Sequence, residues 1–284
     1  MSGTTIHQFT SNLTIELADL YPEHEIRQFG KIMLEHVLKV STTHLLMMNS
    51  EELSPQQLKD LSAIVEQLKK QIPIQYITGH TEFYGLDFIV NPSVLIPRPE
   101  TEELVDWILK DQTQLAKKLL DIGTGSGCIA LCLKAHMPNT TVTGWDISTD
   151  ALSTAQANAK HLNLDVQFNQ IDILNYLAEG NKYDCIVSNP PYVRELEKKM
   201  MEENVLSYEP HTALFVSDND PLIFYRTIAQ LGTQMLTTKG SLFFEINEYL
   251  EKEMTEMLCN IGYLNIECRK DINGRARMMK AQLG

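Results

Sequence analysis

The stretch that decides the fold of this chain is KLLDIGTGSGCIALCLKAH, residues 118–136. The apolar run at 118–122 leads into a glycine-rich turn at 123–127, and a longer apolar stretch with helical character follows from Cys128. A strand, a glycine turn and a helix in this order are typical of the first βα unit of a doubly wound α/β sheet. Because only residues without a Cβ let a ligand approach the backbone closely, we expect the turn to bind a ligand.

The spacing of the glycines argues against a dinucleotide or a triphosphate as the ligand. Gly123, Gly125 and Gly127 follow the pattern Gly-x-Gly-x-Gly, and Cys128 stands where a dinucleotide-binding turn has its third glycine. The turn also lacks the Lys-Ser/Thr pair that holds a triphosphate. On this motif alone, a tight turn that binds nothing is the competing interpretation.

Further apolar segments after residue 97 indicate the remainder of the sheet. The candidate strands are 141–145, 165–169, 183–188, 241–246, 263–268 and 275–282. Stretches with helical periodicity separate most of them. Together with 118–122, these segments predict a mostly parallel sheet with helices on both faces.

The first 73 residues differ, because their apolar residues recur only at the helical spacing of three and four. Helices are expected near 13–20, 26–40, 42–48 and 54–72. The last of these has a start signal: Ser54 can cap the helix, Pro55 suits its first position and Gln57 completes a capping box.

At Pro73 the pattern changes to aromatic and β-branched residues that alternate with polar ones. Gly79 and Gly85 stand at turn positions, which predicts a β-hairpin. The expected organisation is a small helical domain (1–73), a hairpin linker (74–96) and an α/β domain (97–284).

The charge of the chain limits its partners. The 284 residues carry 24 Lys and Arg against 37 Asp and Glu, a formal net charge of -13. An acidic surface gains little from the counterion release that drives nucleic-acid binding, so we expect no direct nucleic-acid substrate.

The cysteines and the apolar runs indicate the compartment. Five scattered cysteines fit reduced thiols better than a disulfide framework. No apolar run approaches the ~18 residues of a membrane span, and the N terminus lacks a basic region followed by an apolar one. We therefore expect a cytoplasmic protein without membrane contact. Cys128 and Cys132 are expected to pack in the core, and no metal site is predicted.

Two acidic residues follow later strands of the predicted sheet. Asp146 follows the strand at 141–145, where an acidic side chain can accept hydrogen bonds from both ribose hydroxyls of a nucleoside. Asp172 follows the next strand and can accept from an adenine amino group, with Ile173 placed to pack on the ring. Either acid alone is as easily a helix cap. Together with the glycine turn, they fit a nucleoside with an amino-acid tail better than a pyrophosphate.

The strand at 183–188 ends in Asn189, Pro190, Pro191 and Tyr192. The carboxyl ends of the strands form the ligand crevice of an open α/β sheet, so this tetrapeptide should face the ligand of the glycine turn. The prolines stiffen the loop and remove two donors, which leaves the Asn189 side-chain oxygen and the Pro190 carbonyl as fixed acceptors. A proline-rich loop that only ends a strand is the competing interpretation.

Two fixed acceptors suit a planar NH2 group, as on a carboxamide or an exocyclic base amine. Its nitrogen is a poor nucleophile because its lone pair is delocalised. Holding both hydrogens can favour the pyramidal nitrogen of the transition state and aim its lone pair at an electrophile. Tyr192 can stack on the planar group, and its ring face favours nearby positive charge. Asn189, Pro190 and Tyr192 are therefore the candidate catalytic residues.

The motifs DIGTGSG (121–127), WDIS (145–148) and SNPPY (188–192) together resemble the amino-methylating branch of the S-adenosylmethionine-dependent methyltransferases. The segment 75–109, which contains IPRPETE (96–102), is similar to the HemK/PrmC family, the protein-glutamine N5-methyltransferases of peptide chain release factors. The resemblance extends over essentially the whole chain. It implies an α/β, Rossmann-like S-adenosylmethionine methyltransferase domain with a mostly parallel seven-stranded sheet, a small N-terminal helical-bundle domain and a β-hairpin linker.

The resemblance also implies roles for individual residues. It implies S-adenosyl-L-methionine as cofactor, S-adenosyl-L-homocysteine as product, and cofactor contacts from Gly123, Thr124, Gly125, Ser126, Gly127, Asp146, Asp172, Ile173 and Asn189. It implies a class 1 release factor as partner and substrate, its Gly-Gly-Gln glutamine held by Asn189, Pro190, Pro191 and Tyr192, with Arg98 and Glu100 at the entrance. For the entrance residues, a proline-stiffened helix start is the competing interpretation. We expect a monomer.

Three places depart from the family's pattern. They are the loop FVSDNDPL at 215–222, Asn247 where a glycine usually follows Glu-Ile, and Ala276 in the late Gly-Arg-Ala-Arg. These departures affect local loop shape and substrate contacts rather than the cofactor site. The acidic residues after the tetrapeptide are expected on a solvated helix face, with closure over the substrate as the alternative: Glu195, Glu197, Glu202 and Glu203.

Methyl transfer to the glutamine amide of a release factor is the leading function. An adenine-N6 nucleic-acid methyltransferase would hold the same planar NH2 group, but the net charge of -13 disfavours it. A glutamine of a ribosomal protein is a third possible target. A cofactor-binding protein without turnover would be favoured if Asn189 or Tyr192 were missing, and both are present.

Overall fold

The computed structural model describes residues 3–112, 116–180 and 182–284. Within them the chain divides into two compact units. The first comprises the residues up to Gly79 together with Glu202–Tyr208, and the second comprises His80–Met201 and Glu209–Gly284. The hairpin therefore belongs to the second unit, and one short segment from the expected α/β domain belongs to the helical unit.

The first unit is built from helices around one apolar core. Its helices are α1 (Ile6–Leu17), α2 (Glu23–Leu38), α3 (Thr42–Met47), α4 (Pro55–Leu68), α5 (Ile74–Thr78) and the later α9 (Glu203–Tyr208). Leu17, Met33 and Leu61 are fully buried in its core. The capping box predicted for α4 is confirmed, because Ser54 Oγ accepts from Gln57 N and Gln57 Oε1 accepts from Ser54 N.

Two features of this unit differ from the expectation. The helix expected near 13–20 is α1, which begins earlier because Thr5 and Gln8 form a second capping box. Helix α9 belongs to the unit although it is distant in sequence, since the Tyr208 hydroxyl donates to the Lys70 carbonyl at 2.6 Å.

The hairpin is shorter than expected. Strands β1 (His80–Phe83) and β2 (Leu86–Ile89) pair antiparallel, whereas the residues of α5 were expected to be extended. Gly79 ends α5 in the left-handed conformation, with φ 76°. Tyr84 and Gly85, at φ 50° and 75°, form the turn between the strands, and positive φ at both positions suits a two-residue hairpin turn.

A seven-stranded sheet forms the centre of the second unit. Its strands are β3 (Lys118–Ile122), β4 (Thr141–Asp146), β5 (Gln167–Gln170), β6 (Tyr183–Ser188), β9 (Leu236–Glu245), β10 (Tyr263–Lys270) and β11 (Ala276–Leu283). Their order is β10-β11-β9-β6-β3-β4-β5. Every pair from β9 to β5 is parallel, and β11 is antiparallel to both of its neighbours. The predicted mostly parallel seven-stranded sheet is confirmed.

Helices and a short strand pair complete this unit. They are α6 (Pro99–Gln112), α7 (Cys128–His136), α8 (Thr149–Leu162), β7 (Val193–Arg194), a 3-10 helix (Glu195–Met200), α10 (His211–Leu214), β8 (Phe215–Val216), α11 (Ile223–Met235) and α12 (Glu251–Ile261). Leu120 and Ile186 pack into one buried cluster with α11 and α12, whereas Leu119 and Val187 pack into another with α6 and α7. Since successive strand residues point to opposite faces, each face of the sheet has its own apolar core.

The cysteines, which all lie in the described ranges, form no disulfides. All five are free thiols, and Cys132 and Cys185 are fully buried. Within the described ranges, no group of three or more His, Cys, Asp or Glu side chains is arranged to hold a metal ion. The helices of those ranges also include none long and apolar enough to cross a membrane.

The variant Ser54→Ala tests the start of α4. Without the Ser54 hydroxyl, the backbone N–H of Gln57 loses its hydrogen-bond acceptor. The free energy of unfolding in urea is therefore expected to fall by about 1 kcal/mol. Ser62, exposed in the same helix with its hydroxyl on the Leu58 carbonyl, provides the matched control. Ser62→Ala should leave stability unchanged or raise it slightly, because Ala is the better helix former. Equal losses in the two variants would contradict the role of the cap.

Candidate active site

Parallel pairing brings three loops to one edge of the sheet. The register aligns Ile122 at the end of β3 with Trp145 in β4 and with Ser188 at the end of β6. The Ser188 hydroxyl donates to the Ile122 carbonyl at 2.6 Å, which fastens these two strand ends. Because β4 lies on one side of β3 and β6 on the other, this edge is a topological switch point, where open α/β sheets bind ligands.

The glycine turn at this edge requires its glycines. Gly123, Gly125 and Gly127 have φ angles of 74°, 55° and 81°, in the left-handed region that other side chains rarely adopt. A Cβ on Gly125 would have no heavy atom within 4 Å, so the turn borders open space. A Cβ on Gly123 would lie 3.8 Å from the Asn189 carbonyl oxygen, so the turn and the tetrapeptide are neighbours.

Asp146 ties the end of β4 to the glycine turn. Its Oδ2 accepts a hydrogen bond from Gly125 N at 2.8 Å, and its Oδ1 accepts one from Ser148 N at 3.0 Å. Burial raises the pKa of Asp146, although these bonds to the carboxylate oppose the rise. A carboxylate has about four lone-pair sites, so Asp146 can still accept from a hydroxyl of a ligand.

A cavity of about 430 Å³ lies against the turn and the tetrapeptide. The predicted residues on its wall are Arg98, Gly123, Thr124, Gly125, Ser126, Asp146, Asp172, Ile173, Asn189, Pro190 and Pro191. The other three predicted residues are not on the wall. Gly127 caps α7, Glu100 is half-buried in the first turn of α6, and Tyr192 packs against the apolar core. The structure thus brings most of the candidate residues to one cavity.

Asp172 lies on the cavity wall with its carboxylate engaged in its own turn. Its Oδ1 accepts from Leu174 N at 3.0 Å, and its Oδ2 accepts from Asn175 Nδ2 at 2.7 Å. These bonds orient the carboxylate and leave lone pairs for a donor in the cavity.

Arg98 is held by a buried acid that the sequence analysis did not single out. Its guanidinium donates to Glu209 Oε1, and Glu209 Oε2 accepts from Ile96 N at 3.2 Å. The Glu209 side chain is 1% exposed and the Arg98 side chain 34%. Glu209 therefore fixes Arg98 from behind while Arg98 remains on the cavity wall.

Tyr192 is anchored by a second carboxylate that the sequence analysis missed. Glu245, the last residue of β9, is 1% exposed, and its Oε1 accepts from the Tyr192 hydroxyl at 2.9 Å. Its Oε2 accepts from the Thr101 hydroxyl at 2.6 Å. Asn189 Nδ2 in turn lies 3.5 Å from the Thr101 hydroxyl oxygen, a long hydrogen bond. A chain of polar contacts thus runs from the tetrapeptide to the end of β9.

Burial governs the titration of this network. It raises the pKa of Glu245, while the hydrogen bonds from Thr101 and Tyr192 and the charge of Arg277 oppose the rise. Burial, followed by the neighbouring Glu245 charge, raises the pKa of Tyr192 well above its ordinary value. The Tyr192 hydroxyl therefore acts as a hydrogen-bond donor and not as a phenolate.

Asn247, one of the departures from the family pattern, supports the tetrapeptide from another side. Its Nδ2 donates to the Tyr192 carbonyl at 3.0 Å and to Glu197 Oε2 at 2.9 Å. Glu197 also accepts from the backbone N and the guanidinium of Arg194, at 2.8 Å and 3.0 Å. The expectation of a solvated face is wrong for Glu197, which is buried because three donors converge on its carboxylate, whereas Glu195 is exposed.

The other departures have simpler accounts. In the loop 215–222, Asp220 accepts two hydrogen bonds from the Arg226 guanidinium, each 2.8 Å long. Ala276 is buried in the core on the α11 and α12 side of the sheet. Neither residue lies on the cavity wall, although Phe215 at the start of the loop does.

A buried amide links the hairpin to the glycine turn. Asn158 in α8 accepts from Ile89 N at 2.6 Å and donates to the Ile89 and Ser126 carbonyls at 2.9 Å each. This side chain is fully buried, and its donors and acceptor are all used. Strand β2 is thereby fastened to the turn that lines the cavity.

Comparisons with known proteins identify the family. The PrmC N-terminal domain matches residues 13–79, and the methyltransferase small domain matches residues 101–213. The chain is 47% identical to the release factor glutamine methyltransferase of Flavobacterium psychrophilum, over 97% of this chain and 98% of that protein. It is 44% identical to that of Bacteroides thetaiotaomicron, over 97% and 99%. The chain belongs to the release factor glutamine methyltransferase family. The resemblance to the HemK/PrmC family is thereby confirmed.

Solved structures with low sequence identity share the fold. A methyltransferase from Pyrococcus furiosus superposes with a TM-score of 0.54 at 19% identity, covering 79% of this chain and 98% of that one. The Thermus thermophilus 16S rRNA N2 G1207 methyltransferase, in complex with AdoMet and guanosine, gives 0.53 at 16% identity, covering 72% and 50%. These likenesses confirm the Rossmann-like methyltransferase fold.

The variant Glu197→Gln tests the buried support of the tetrapeptide. It places an NH2 group among donors, so the free energy of unfolding is expected to fall by about 2 kcal/mol at neutral pH. Burial alone would raise the pKa of Glu197, but the bonds from Arg194 and Asn247 outweigh burial and lower it below its ordinary 4.5. The contribution of the carboxylate is therefore complete above that ordinary pKa and is lost as pH falls through the folded-state pKa.

The exposed Glu195→Gln is the matched control, two residues away in the same 3-10 helix. It should change stability little, because its pair with Lys198 lies on the surface. The difference in the free energy of unfolding between the two variants should shrink as the pH falls. A difference that stays constant would contradict the stabilising role of the ionised Glu197 carboxylate.

Proposed function

We propose that this chain methylates the side-chain amide nitrogen (N5) of the glutamine in the Gly-Gly-Gln motif of class 1 peptide chain release factors. S-adenosyl-L-methionine is the proposed methyl donor and S-adenosyl-L-homocysteine the product. The observation that carries the proposal is that the glycine turn and the Asn-Pro-Pro-Tyr loop lie side by side on the wall of one cavity. A Cβ on Gly123 would be 3.8 Å from the Asn189 carbonyl oxygen. The relatives named release factor glutamine methyltransferase support the choice of substrate.

The cavity fits a nucleoside with an amino-acid tail. Gly125 borders open space that a side chain would fill, and Asp146 keeps lone pairs for ribose hydroxyls. The residues proposed to hold the cofactor are Gly123, Thr124, Gly125, Ser126 and Gly127 at the methionine part, Asp146 at the ribose, Asp172 and Ile173 at the adenine, and Asn189 next to the methyl group. When bound, the cofactor supplies an electrophilic methyl group.

The tetrapeptide would act by holding and orienting the amide. Asn189 Oδ1 and the Pro190 carbonyl accept its two hydrogens, which favours a pyramidal nitrogen whose lone pair points toward the cofactor side of the cavity. The nitrogen becomes acidic only as it gains its fourth substituent, so no strong base is required to start the reaction. Pro191 on the cavity wall would shape the pocket around the planar group, and Tyr192 would hold the loop from behind through its bond to Glu245 rather than stack on the substrate. Arg98 and Glu100 would meet the substrate at the entrance.

Partner and compartment follow from the same proposal. The net charge of -13 favours a partner that presents a basic surface and disfavours a direct nucleic-acid substrate. The first unit, with the family's PrmC N-terminal domain, is the proposed recognition domain for the release factor. We further propose that the protein is a cytoplasmic monomer, in keeping with its free thiols.

Mass spectrometry tests the reaction directly. Purified release factor incubated with the protein and S-adenosyl-L-methionine should gain the mass of one methylene on the glutamine of its Gly-Gly-Gln peptide. A release factor with that glutamine changed to alanine is the matched control and should gain none. An unmodified peptide alongside methylated adenine in added DNA would reverse the choice between the two functions.

The variant Asn189→Ala separates positioning from cofactor binding. It should lower kcat by about 10²- to 10³-fold, as for other preorganised transition-state hydrogen bonds, while the Kd for S-adenosyl-L-methionine from calorimetry changes little. Asp146→Ala should show the opposite pattern, because it removes the proposed ribose acceptor. A methylation rate unchanged by Asn189→Ala would refute the proposed mechanism.

A further inference from the structure

The hydrogen bonds that link the tetrapeptide to Glu245 and Thr101 can run in one direction only, because each hydroxyl has a single hydrogen to donate. Thr101, fully buried at the start of α6, has a single hydroxyl hydrogen, and its Oγ1 lies 2.6 Å from Glu245 Oε2. The Tyr192 hydroxyl, with one hydrogen of its own, lies 2.9 Å from the other carboxylate oxygen. Two hydroxyls converging on the two oxygens of one acid fit an ionised carboxylate, which only accepts hydrogen bonds.

The direction of these bonds fixes what Thr101 can offer to Asn189. Because its hydrogen is given to Glu245, the Thr101 oxygen can only accept from the Asn189 amide, 3.5 Å away. The end of an Asn amide that carries hydrogens is Nδ2. Nδ2 therefore faces Thr101, and Oδ1 is left for the cavity. The two ends of an amide have almost the same shape, so the hydrogen-bond network decides between them.

The orientation matters because the proposed substrate group is itself an NH2. An Asn189 turned by half a rotation would present its own NH2 to that group, so two donors would face each other without an acceptor. A correctly turned Asn189 presents an acceptor instead. The end of Asn189 that faces the cavity thus decides whether the amide substrate is held or repelled.

We propose that Glu245 and Thr101 are positioning residues that set the orientation of the Asn189 amide through a one-directional hydrogen-bond relay. The inference rests on the proposed function, since it assigns the relay to the residue that would hold the substrate NH2. The relay Glu245–Thr101–Asn189 lies within the second unit and joins α6, the end of β9 and the loop after β6. The relay requires the ionised carboxylate. Burial raises the pKa of Glu245, whereas the hydrogen bonds from Thr101 and Tyr192 and the charge of Arg277 oppose that rise and favour the ionised form.

The variant Glu245→Gln reverses the relay with little change in shape. The Gln oxygen should face the Tyr192 hydroxyl, because Glu245 is the one acceptor described for that buried hydroxyl. The Gln NH2 then donates to Thr101, whose hydrogen turns toward Asn189 and favours the rotated amide. Methylation of the release factor should show a kcat lowered roughly 10- to 100-fold, as expected for one opposed buried donor. The Kd for S-adenosyl-L-methionine should stay close to that of the unmodified protein.

The Thr101 hydroxyl connects Glu245 to Asn189 by hydrogen bonds. Variants of Thr101 therefore distinguish a hydrogen-bond relay from a role in packing. Thr101→Ser keeps the hydroxyl and should retain most of the activity, whereas Thr101→Val keeps the shape, frees the Asn189 amide and should lower kcat. Adding Thr101→Val to Glu245→Gln should raise kcat above that of Glu245→Gln alone, because it removes the reversed bond. Losses that multiply in the double variant would overturn the relay.

The same strands offer a matched control pair. Thr237 near the start of β9 donates to Asp184 near the start of β6 at 3.2 Å, a threonine–carboxylate contact away from the cavity. Asp184→Asn and Thr237→Val should leave kcat near that of the unmodified protein. If they lower kcat as much as the relay variants do, the effect is general destabilisation and the relay is refuted.

A direct measurement of Asn189 keeps the relay testable apart from turnover. The measurement is the nuclear Overhauser cross-peak between the Asn189 side-chain NH2 and the Thr101 methyl group. The variant Asn189→Asp, which lacks this NH2, assigns the signal. The cross-peak should be present in the unmodified protein and weakened in Glu245→Gln. The same cross-peak in both proteins would overturn the relay even if the release factor proves not to be the substrate. Failure of the unmodified protein to methylate the release factor, with the cross-peak behaving as expected, would refute the proposed function and leave the relay standing.

Discussion

The parallel register between β3 and β6 is the constraint on which the site depends. It pairs Ile122 with Ser188, so the glycine turn and the tetrapeptide leave the sheet side by side. The two apolar cores fix this register. Cys185 and Ile186 pack on opposite faces of the sheet. A slip of one residue in β6 would exchange their positions, so that each side chain of the strand would point into the opposite core. The burial that stabilises the fold therefore also sets the distance between the two loops.

The tetrapeptide is held by its neighbours as well as by its prolines. The prolines have no amide hydrogens, so the loop can form few backbone hydrogen bonds of its own. Strand β9 supplies the anchors, because it runs beside β6 with Phe244 opposite Ser188. Glu245 at its end holds the hydroxyl of Tyr192, and Asn247 holds the carbonyl of the same residue. The two ends of Tyr192 are thus fixed by residues two positions apart, which limits the movement of the loop.

The sequence was sufficient for features that are local in the chain. Apolar runs between polar turns identified all seven strands, and the capping residues Ser54 and Gln57 placed the start of α4. The motifs led to the cavity because they stand at strand ends, which the doubly wound fold brings together. Periodicity was less informative for α5, where β-branched and aromatic residues suggested a strand although the segment is a single helical turn ended by Gly79.

What the sequence could not reveal depends on contacts between distant residues. Glu245 and Thr101 are 144 positions apart, and Tyr208 and Lys70 are 138 apart. An acidic residue at the end of a strand is usually solvated, so nothing near Glu245 announces its burial. The same holds for Glu197, which stands in a largely charged segment between the exposed Glu195 and Lys199. A buried carboxylate can be recognised only when its donors are known, and these come from other elements of the fold.

Asn247 stands where the family pattern has a glycine, and the contacts of Tyr192 and Glu197 depend on its side chain. A glycine there would supply no donor to the Tyr192 carbonyl or to Glu197, and a buried carboxylate that loses a donor is costly. The Asn247 Oδ1 also accepts from Tyr249 N at 3.0 Å, so its amide is used at both ends. The burial of Glu197 and the presence of Asn247 are therefore one feature of this chain. With a glycine in place of Asn247, Glu197 would have to be solvated or paired in another way.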